Sequence, residues 1–448
     1  MKRAFITTFL LFIWCHIAFG QWLPGGSFSS VLHFQSCAFH QVDTGLFVYG
    51  ADNPASGEGG ILKTWTGMAG SGGYIWYEPG CNIEDIDVRV VNGSPYYMAA
   101  GHQQYARSIV LKQYLPGGNP FQFDSVRTGD SRYYRAIRMR SDLVAFTGGG
   151  DYLGNGIIDM SVDTGATWTN IAVLPGQPVS RIHFVNDLLG FAATGGYRRL
   201  IANGVFLPDS GAIYRTTDGG SNWLQVYSDA IAGFSDVAFS SLVNGVATRN
   251  DGVILRTSDG GDTWMPATVN LAVPVLMTSV TFRGDGVGFA SAYRADGVSG
   301  YILISYDEGQ TWYENFNTSG FNHSRRIYDL YFFDDAHGYA CTHIRPLRTN
   351  GIVTDVDGMD ALDITVRPNP TTDRVTIVRS EHGVADVEVL DILGRPVYAE
   401  RITGSRIELS FAAIPMGSYI VRVRSDRGIG VVRLVRERVP PRSAPLVR

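Results

Sequence analysis

The chain has 448 residues, 53 glycines, 18% charged residues and a formal net charge of −5. That length accommodates a large core and more than one domain, and the acidic balance argues against nucleic acid as a partner. Many glycines and aromatics with few charges suit an all-β protein of short strands and tight turns.

Residues 1–20 read as a secretory signal peptide. Met1-Lys2-Arg3 is basic, Ala4 to Phe19 is apolar, and Ala18-Phe19-Gly20 places small residues before Gln21. No later stretch is apolar enough to span a bilayer, so no transmembrane segment is expected in the mature chain. Removing Cys15 leaves Cys37, Cys81 and Cys341. An odd number cannot all pair within one chain, no spacing favours one pair, and no zinc pattern appears. They read as small buried hydrophobes.

From residue 21 to 358 the sequence repeats one pattern: an apolar strand, a polar turn, a strand ending in Gly or Ala, a loop, a third strand, a hairpin and a fourth strand. The first repeat has Gly60-Ile-Leu-Lys-Thr64 as its third strand and Trp76 in its fourth. The second runs through Ile109 to Gln113, with Phe121 or Phe123 in place of a tryptophan. The third spans Ala136 to Trp168, and the fourth spans Arg181 to Trp223 with a long insertion. The fifth spans Ser235 to Trp264, and the sixth spans Ser279 to Trp312. The seventh begins at Tyr328 and stops at Asp357-Gly358 without a tryptophan. Gln21-Trp22-Leu-Pro24 resembles Trp264-Met-Pro266, so the mature N-terminus is expected to supply the missing strand and close a ring. A period of about 40–50 residues with this character predicts a seven-bladed β-propeller, one blade per repeat.

Four repeats carry one hairpin signature: Ser161-Val-Asp163-Thr-Gly165-Ala-Thr167-Trp168, Thr216 to Trp223 around Asp218, Thr257 to Trp264 around Asp259, and Ser305 to Trp312 around Asp307. The Asp carboxylate can accept from backbone N–H groups of its own turn. The Ser or Thr two residues earlier can bond in the same way, and the Gly two residues later can take a positive φ. The tryptophan suits a junction between blades. The pattern S/T-x-D-x-G-x-x-W resembles the Asp-box (BNR) repeat of sialidases, xyloglucanases, sortilins and photosystem II stability-factor-like propellers. That resemblance implies a structural role for Asp163, Asp218, Asp259 and Asp307 with Trp168, Trp223, Trp264 and Trp312, away from any active site.

Asp355-Val-Asp357-Gly358-Met-Asp360 lacks the Glu that completes an EF-hand loop and reads as a hairpin leading into a linker. No metal or other cofactor is expected. From about Asp363 the chain changes to short alternating strands with Gly and Pro turns, which predicts a small Ig-like β-sandwich over residues 363–438. The order Pro368-Asn369-Pro370, then Asp391 with Gly394-Arg395, then Pro415-Met-Gly417-Ser-Tyr419 resembles the C-terminal sorting domain of type IX secretion cargo. The resemblance implies the type IX machinery as a partner, and a secreted protein, extracellular or on the outer surface of a Gram-negative cell.

If the Asp hairpins occupy one rim, the loops between second and third strands occupy the other. Those loops hold His102 and Tyr105, Asp151 and Tyr152, then Tyr197, Arg198 and Arg199, Arg249 and Asp251, Tyr293, Arg294 and Asp296, and His343, Arg345 and Arg348. Loops on a rigid scaffold concentrate function, and Arg and Tyr favour contact surfaces. The expected function is non-catalytic binding of a glycan, polymer or surface protein at this face. The arginines favour an anionic ligand, because their forks match carboxylates and sulfates. The alternative is a sialidase-like or xyloglucanase-like glycoside hydrolase. It needs two carboxyls flanking the bond, and Asp151, Asp251, Asp296 and Glu58 are the candidates. The sialidase R-I-P motif is absent, since Ile344-Arg345-Pro346 has a different order.

Overall fold

The computed structural model describes residues 22–24, 33–50, 58–64, 73–103, 107–113, 122–196, 200–201, 205–206, 210–294, 297, 299–319, 326–343, 345–350, 360–361, 364–369, 371–379, 384–390, 396–411, 414–425 and 428–436. Trp22–Gly351 forms one compact unit, and Ile352–Arg448 belongs to a second.

The first unit is a β-propeller. Among the described residues it contains seven sheets, each built on four antiparallel strands in meander order, with a parallel fifth strand, Thr268–Asn270, on the sixth, and a separate hairpin of Leu200–Ile201 and Val205–Phe206. The first strands of the seven meanders are His33–Gln41, Cys81–Val91, Arg132–Met139, Val179–Phe184, Phe234–Phe239, Val275–Phe282 and Ile327–Phe332. Each of these packs against the first strand of the next sheet, and the seventh packs against the first, so the sheets form a closed ring. The seventh sheet borrows its outer strand from the other end of the chain: Leu23 pairs with Arg348 and Pro24 with Leu347. Trp22 anchors this latch. It is buried, its indole donates to Asn315 Oδ1 at 3.2 Å, and its ring meets Phe332 edge-on.

The four repeated hairpins are built alike. In the third blade Ser161 Oγ donates to Asp163 Oδ1 at 2.8 Å and accepts from Gly165 N at 2.8 Å, while Asp163 accepts from Thr167 N at 2.8 Å. The hydroxyl-to-carboxylate bond recurs at Thr216–Asp218 (2.8 Å), Thr257–Asp259 (2.7 Å) and Ser305–Asp307 (2.8 Å). Each hairpin's glycine has φ between +76° and +92°, and it also abuts the second strand of the preceding blade. A Cβ on Gly220 would stand 2.5 Å from Phe146, and one on Gly261 would stand 2.6 Å from Phe191. Glycine is therefore needed twice there, for backbone conformation and for the close approach. Trp168, Trp223, Trp264 and Trp312 pack in the clusters between blades. In the second blade Phe123 is buried in that role.

The second unit is a two-sheet sandwich. Five strands (Asp360–Ala361, Gly428–Arg436, Gly417–Ser425, Val384–Leu390 and Pro396–Thr403) form one sheet, and Ile364–Arg367, Arg374–Arg379 and Arg406–Ser410 form the other. Val366, Ile377, Val387, Val389, Ile407, Leu409, Val421 and Val423 fill the space between. Their alternation with polar residues is the period-2 pattern of strands buried on one face. The candidate calcium loop lies mostly outside the described residues, among which no cluster of metal-ligating groups occurs.

Candidate binding site

The innermost strand of every blade carries an irregularity at one shared level, and the first blade has a second at Phe39/Gln41. The shared register shift falls at Phe34/Ser36, Ile83/Asp85, Tyr134/Ala136, Val179/Arg181, Phe234/Asp236, Met277/Ser279 and Ile327/Asp329. The residue before each bulge is apolar and buried in the blades. The residue after it comes at the same level of the axial strand, giving a ring of Ser36, Asp85, Ala136, Arg181, Asp236, Ser279 and Asp329. A β-bulge re-aims the side chain that follows it. Here six of the seven side chains line the axial cavity, and Ala136 packs in the core between blades instead.

The innermost strand is the inner edge of each sheet, and its N–H groups need partners. The axial aspartates supply them across the blade boundary. Asp85 accepts from Ile137 N at 3.0 Å, Asp87 from Met139 N at 2.8 Å and Asp236 from Val280 N at 3.0 Å. Ser36 Oγ joins Asp85 (3.0 Å) to Asp329 (2.6 Å), and Ser279 Oγ joins Asp236 (2.9 Å) to Asp329 (2.8 Å). Arg181 reaches across the axis to Asp85 at 2.9 Å, Asp329 at 2.8 Å and Asp236 at 3.8 Å. One guanidinium thus ties together carboxylates from the second, fifth and seventh blades.

Above this floor lies a cavity of about 300 Å3. Asp87, Arg138, His183, Thr281 and Tyr331 line its wall, and Phe184, Phe239, Phe282 and Phe332 line its upper part. Arg138 stands 3.7 Å from Asp87 and 3.9 Å from Asp85. These four phenylalanines are the last residues of their strands, next to the first turns. In an antiparallel meander the first and third turns share one end of the sheet. The cavity therefore lies toward the rim of the repeated Asp hairpins, opposite the second-to-third strand loops.

Charge is concentrated here. Four carboxyls (Asp85, Asp87, Asp236, Asp329) surround two guanidiniums (Arg138, Arg181). Burial pushes the Asp236 carboxyl up to about 6; Arg181 opposes the rise and Asp329 adds to it. Burial likewise raises Asp87, against the pull of Arg138. Burial, helped by Arg138, pushes His183 down to about 3, so its ring is neutral. It lies parallel to Phe239 with centroids 6.1 Å apart. This is a polar wall under an aromatic collar, suited to hold a neutral hydroxylated or a cationic group and to repel an anion.

The loop-face residues form no comparable site among the described residues. His102 is fully buried, 3.1 Å from Glu84 Oε1. Arg249 is nearly buried and ion-paired with Asp229 and Asp251. Asp151 accepts from Leu153 N (2.9 Å) and Asn155 N (2.8 Å), which shapes its own turn. Asp251 likewise accepts from Val253 N at 3.3 Å. Tyr152 is exposed. Arg326 lies over the Tyr293 ring at 5.2 Å, its carbonyl accepts from His343 N at 3.2 Å, and His343 meets His33 with ring centroids 4.0 Å apart. Tyr293 and His343 are thus brought together through Arg326. Arg294 closes its own loop through its backbone, bonding Ser299 and Gly297 at 2.9 and 2.8 Å. Arg345 is half-buried, and its carbonyl accepts from Thr342 Oγ1. Tyr105, Tyr197, Arg198, Arg199 and Asp296 lie outside the described residues.

Residues 365–437 match the secretion system C-terminal sorting domain. The tail is a type IX sorting domain. Such a tail implies secretion or display on the outer surface. The whole fold is similar to the GH74 xyloglucanase of Xanthomonas campestris, at 12% identity and a TM-score of 0.52 over 91% of this chain and 74% of that one. It is also similar to YCF48 of Cyanidioschyzon merolae, at 13% identity and a TM-score of 0.50 over 73% of this chain and 98% of that one. At such identities the likeness is one of fold. No curated protein matches the chain.

The axial ring carries a sequence signal that the loop reading passed over. Ser235-Asp236-Val-Ala-Phe239 and Tyr328-Asp329-Leu-Tyr-Phe332 each place an aspartate inside an otherwise apolar strand, and Ile83-Glu84-Asp85-Ile86-Asp87 alternates acids with isoleucines. Charge in a strand that must be buried is the mark of a lined channel.

Proposed function

We propose that this chain is an exported, non-catalytic binding protein that takes a sugar unit of a neutral glycan into the axial cavity on the Asp-hairpin rim. The observation that carries this is the cavity itself. Asp87 and Arg138 face it with paired acceptors and donors, the arrangement that vicinal hydroxyls satisfy. The phenylalanine collar offers apolar faces for the C–H surfaces of a sugar ring. The excess of carboxyls over guanidiniums disfavours an anionic ligand at this mouth, and Arg249, a candidate for anion binding, is already paired with two aspartates. The propeller with its sorting tail supports presentation outside the cell.

Hydrolysis is the second reading, and one observation favours it. Asp236, raised to about 6, shares Ser279 with Asp329, and a carboxyl that holds its proton beside another carboxyl is the pattern of an acid and its partner. Arg181 and the serines cover that pair, which favours the structural role.

The test is a glycan array run beside a hydrolysis screen on the exported protein and its Asp87→Asn and Arg138→Gln variants. Binding of neutral glycans that weakens at least tenfold in both variants, without product, supports the proposal. Capture of anionic glycans alone, unaffected by either change, moves the site to the loop face. Turnover abolished by Asp236→Asn replaces binding with hydrolysis.

A further inference from the structure

The ring closes at one seam, between the first and seventh blades. Among the described residues its backbone latch is short: Leu23 pairs with Arg348 and Pro24 with Leu347. The seam has its own core of Phe34, Cys37, Phe39, Phe47, Tyr339 and Cys341, among others. Phe39 stacks on Tyr339 with centroids 3.7 Å apart, and the Tyr331 hydroxyl donates to the Phe39 carbonyl at 2.8 Å. Cys37 lies on the innermost strand of the first blade, next to Ser36, whose hydroxyl donates to Asp329. Cys341 lies on the second strand of the seventh blade, opposite Asp329. The two cysteines are therefore brought from either side of the seam into one buried cluster. Both are buried. Cys81 sits in a different cluster, between the first and second blades.

We infer that Cys37 and Cys341 form a disulfide in the exported protein, a covalent staple that closes the propeller between its first and last blades. Three findings converge on this. The two cysteines share one buried core across the junction that the propeller closes by joining its first and last strands. The backbone latch there is two residues long among the described residues. The sorting domain sends the chain through compartments in which disulfides form and persist.

The chemistry balances with a disulfide-bearing oxidant, such as a periplasmic thiol–disulfide oxidoreductase or a small-molecule disulfide. One cysteine thiolate attacks the oxidant's S–S bond, forming a mixed disulfide and releasing one oxidant thiolate. The second cysteine thiolate displaces the other oxidant sulfur, forming the Cys37–Cys341 bond. Two electrons pass to the oxidant, and the two protons lost by the cysteines end on its thiols or in solvent. Burial pushes both thiols up once the ring is closed, so neither is readily the thiolate that exchange requires. Exchange therefore precedes closure of the seam, and the finished bond is shielded from reductant in the native protein.

The test uses the full chain, recovered from an oxidising export route and, in parallel, from a reducing cytoplasm. Each sample is denatured in an alkylating reagent without reductant, and peptides containing residues 37, 81 and 341 are mapped by mass spectrometry. In exported protein Cys81 should be alkylated, and a Cys37–Cys341 linked pair should appear, two mass units lighter than the sum of the free peptides. Cytoplasmic protein should be alkylated at all three positions and should melt at a lower temperature. A Cys37→Ala/Cys341→Ala double variant should melt at the same temperature from both routes. Alkylation of Cys37 and Cys341 in the exported wild type, or linkage of either to Cys81, overturns the inference without reference to any variant's folding.

Discussion

Aspartate does opposite things at the rim and at the axis of this propeller. At the rim, Asp163, Asp218 and Asp259 stand largely in solvent, and their own turns hold each carboxyl down at about 2 through donated hydrogen bonds. At the axis, Asp236 has comparable hydrogen bonds and an arginine, yet burial lifts it to about 6. The difference lies in the solvent. In water the ionised form needs little help, so a few N–H donors push the equilibrium further toward it. On the axis the same donors only offset part of the desolvation. The rim aspartates therefore secure hairpins locally, whereas the axial ones are a charged assembly that depends on Arg181.

The sharpest break in this contrast is Arg181→Met. It leaves Asp85, Asp236 and Asp329 facing one another without their shared cation. Removing one partner from buried charges costs roughly 3–5 kcal/mol, which urea denaturation at pH 7.5 should register. The loss should shrink at pH 5, where Asp236 is protonated. A loss under about 1 kcal/mol would show that the axis is solvated like the rim.

A second effect comes from pH alone. Because the folded-state pKa of Asp236 lies above its ordinary 3.8, the folded protein binds more protons than the unfolded chain between pH 4 and 6. This carboxyl therefore makes stability rise as pH falls through that window, by at most about 1.4 kcal/mol per pH unit. The rim carboxyls have the opposite sign. Their depressed values mean that the stability they add is present above pH 4 and is lost as pH falls toward 2. Denaturation midpoints measured from pH 7 to 3 should pass through a maximum. In Asp236→Asn the rise between pH 6 and 4 should flatten while the fall below 4 remains.

The smallest effect belongs to a single hairpin. Asp259→Ala removes the acceptor for Thr263 N at 2.9 Å and the partner of the Thr257 and Thr263 hydroxyls. The site is exposed and water replaces part of what is lost, so the cost should be about 1 kcal/mol. Thermal denaturation should show it, and glycan binding should be unchanged. A binding loss from this substitution would place the ligand on the hairpins rather than over the axis.

Much of the fold was legible in the sequence because it repeats. Four copies of the Asp–Gly–Trp hairpin in one frame set the period, and the stranded Trp22-Leu-Pro24 pointed to the strand missing from the seventh blade. The functional surface was less legible. His102, Arg249 and Asp151 lie at strand ends and Asp251 in a turn, where polar residues usually face water, yet Glu84, Asp229 and local turns hold them. Residue type told which loops were polar. It did not tell which polar groups already had partners.

The amino-acid order alone determined the strand periodicity, the turn chemistry and the sorting tail, because each is written in short motifs of neighbouring residues that recur or follow one another in a fixed order. The axial ring was decided by tertiary structure. Ser36, Asp85, Arg181, Asp236, Ser279 and Asp329 are scattered over nearly three hundred residues, one to a repeat, and their types differ from blade to blade. They meet because each blade bulges at the same level of its innermost strand, and because the ring closes and brings the first blade against the last. Only then does Arg181 face three carboxylates, and only then does burial separate the behaviour of Asp236 from that of Asp259.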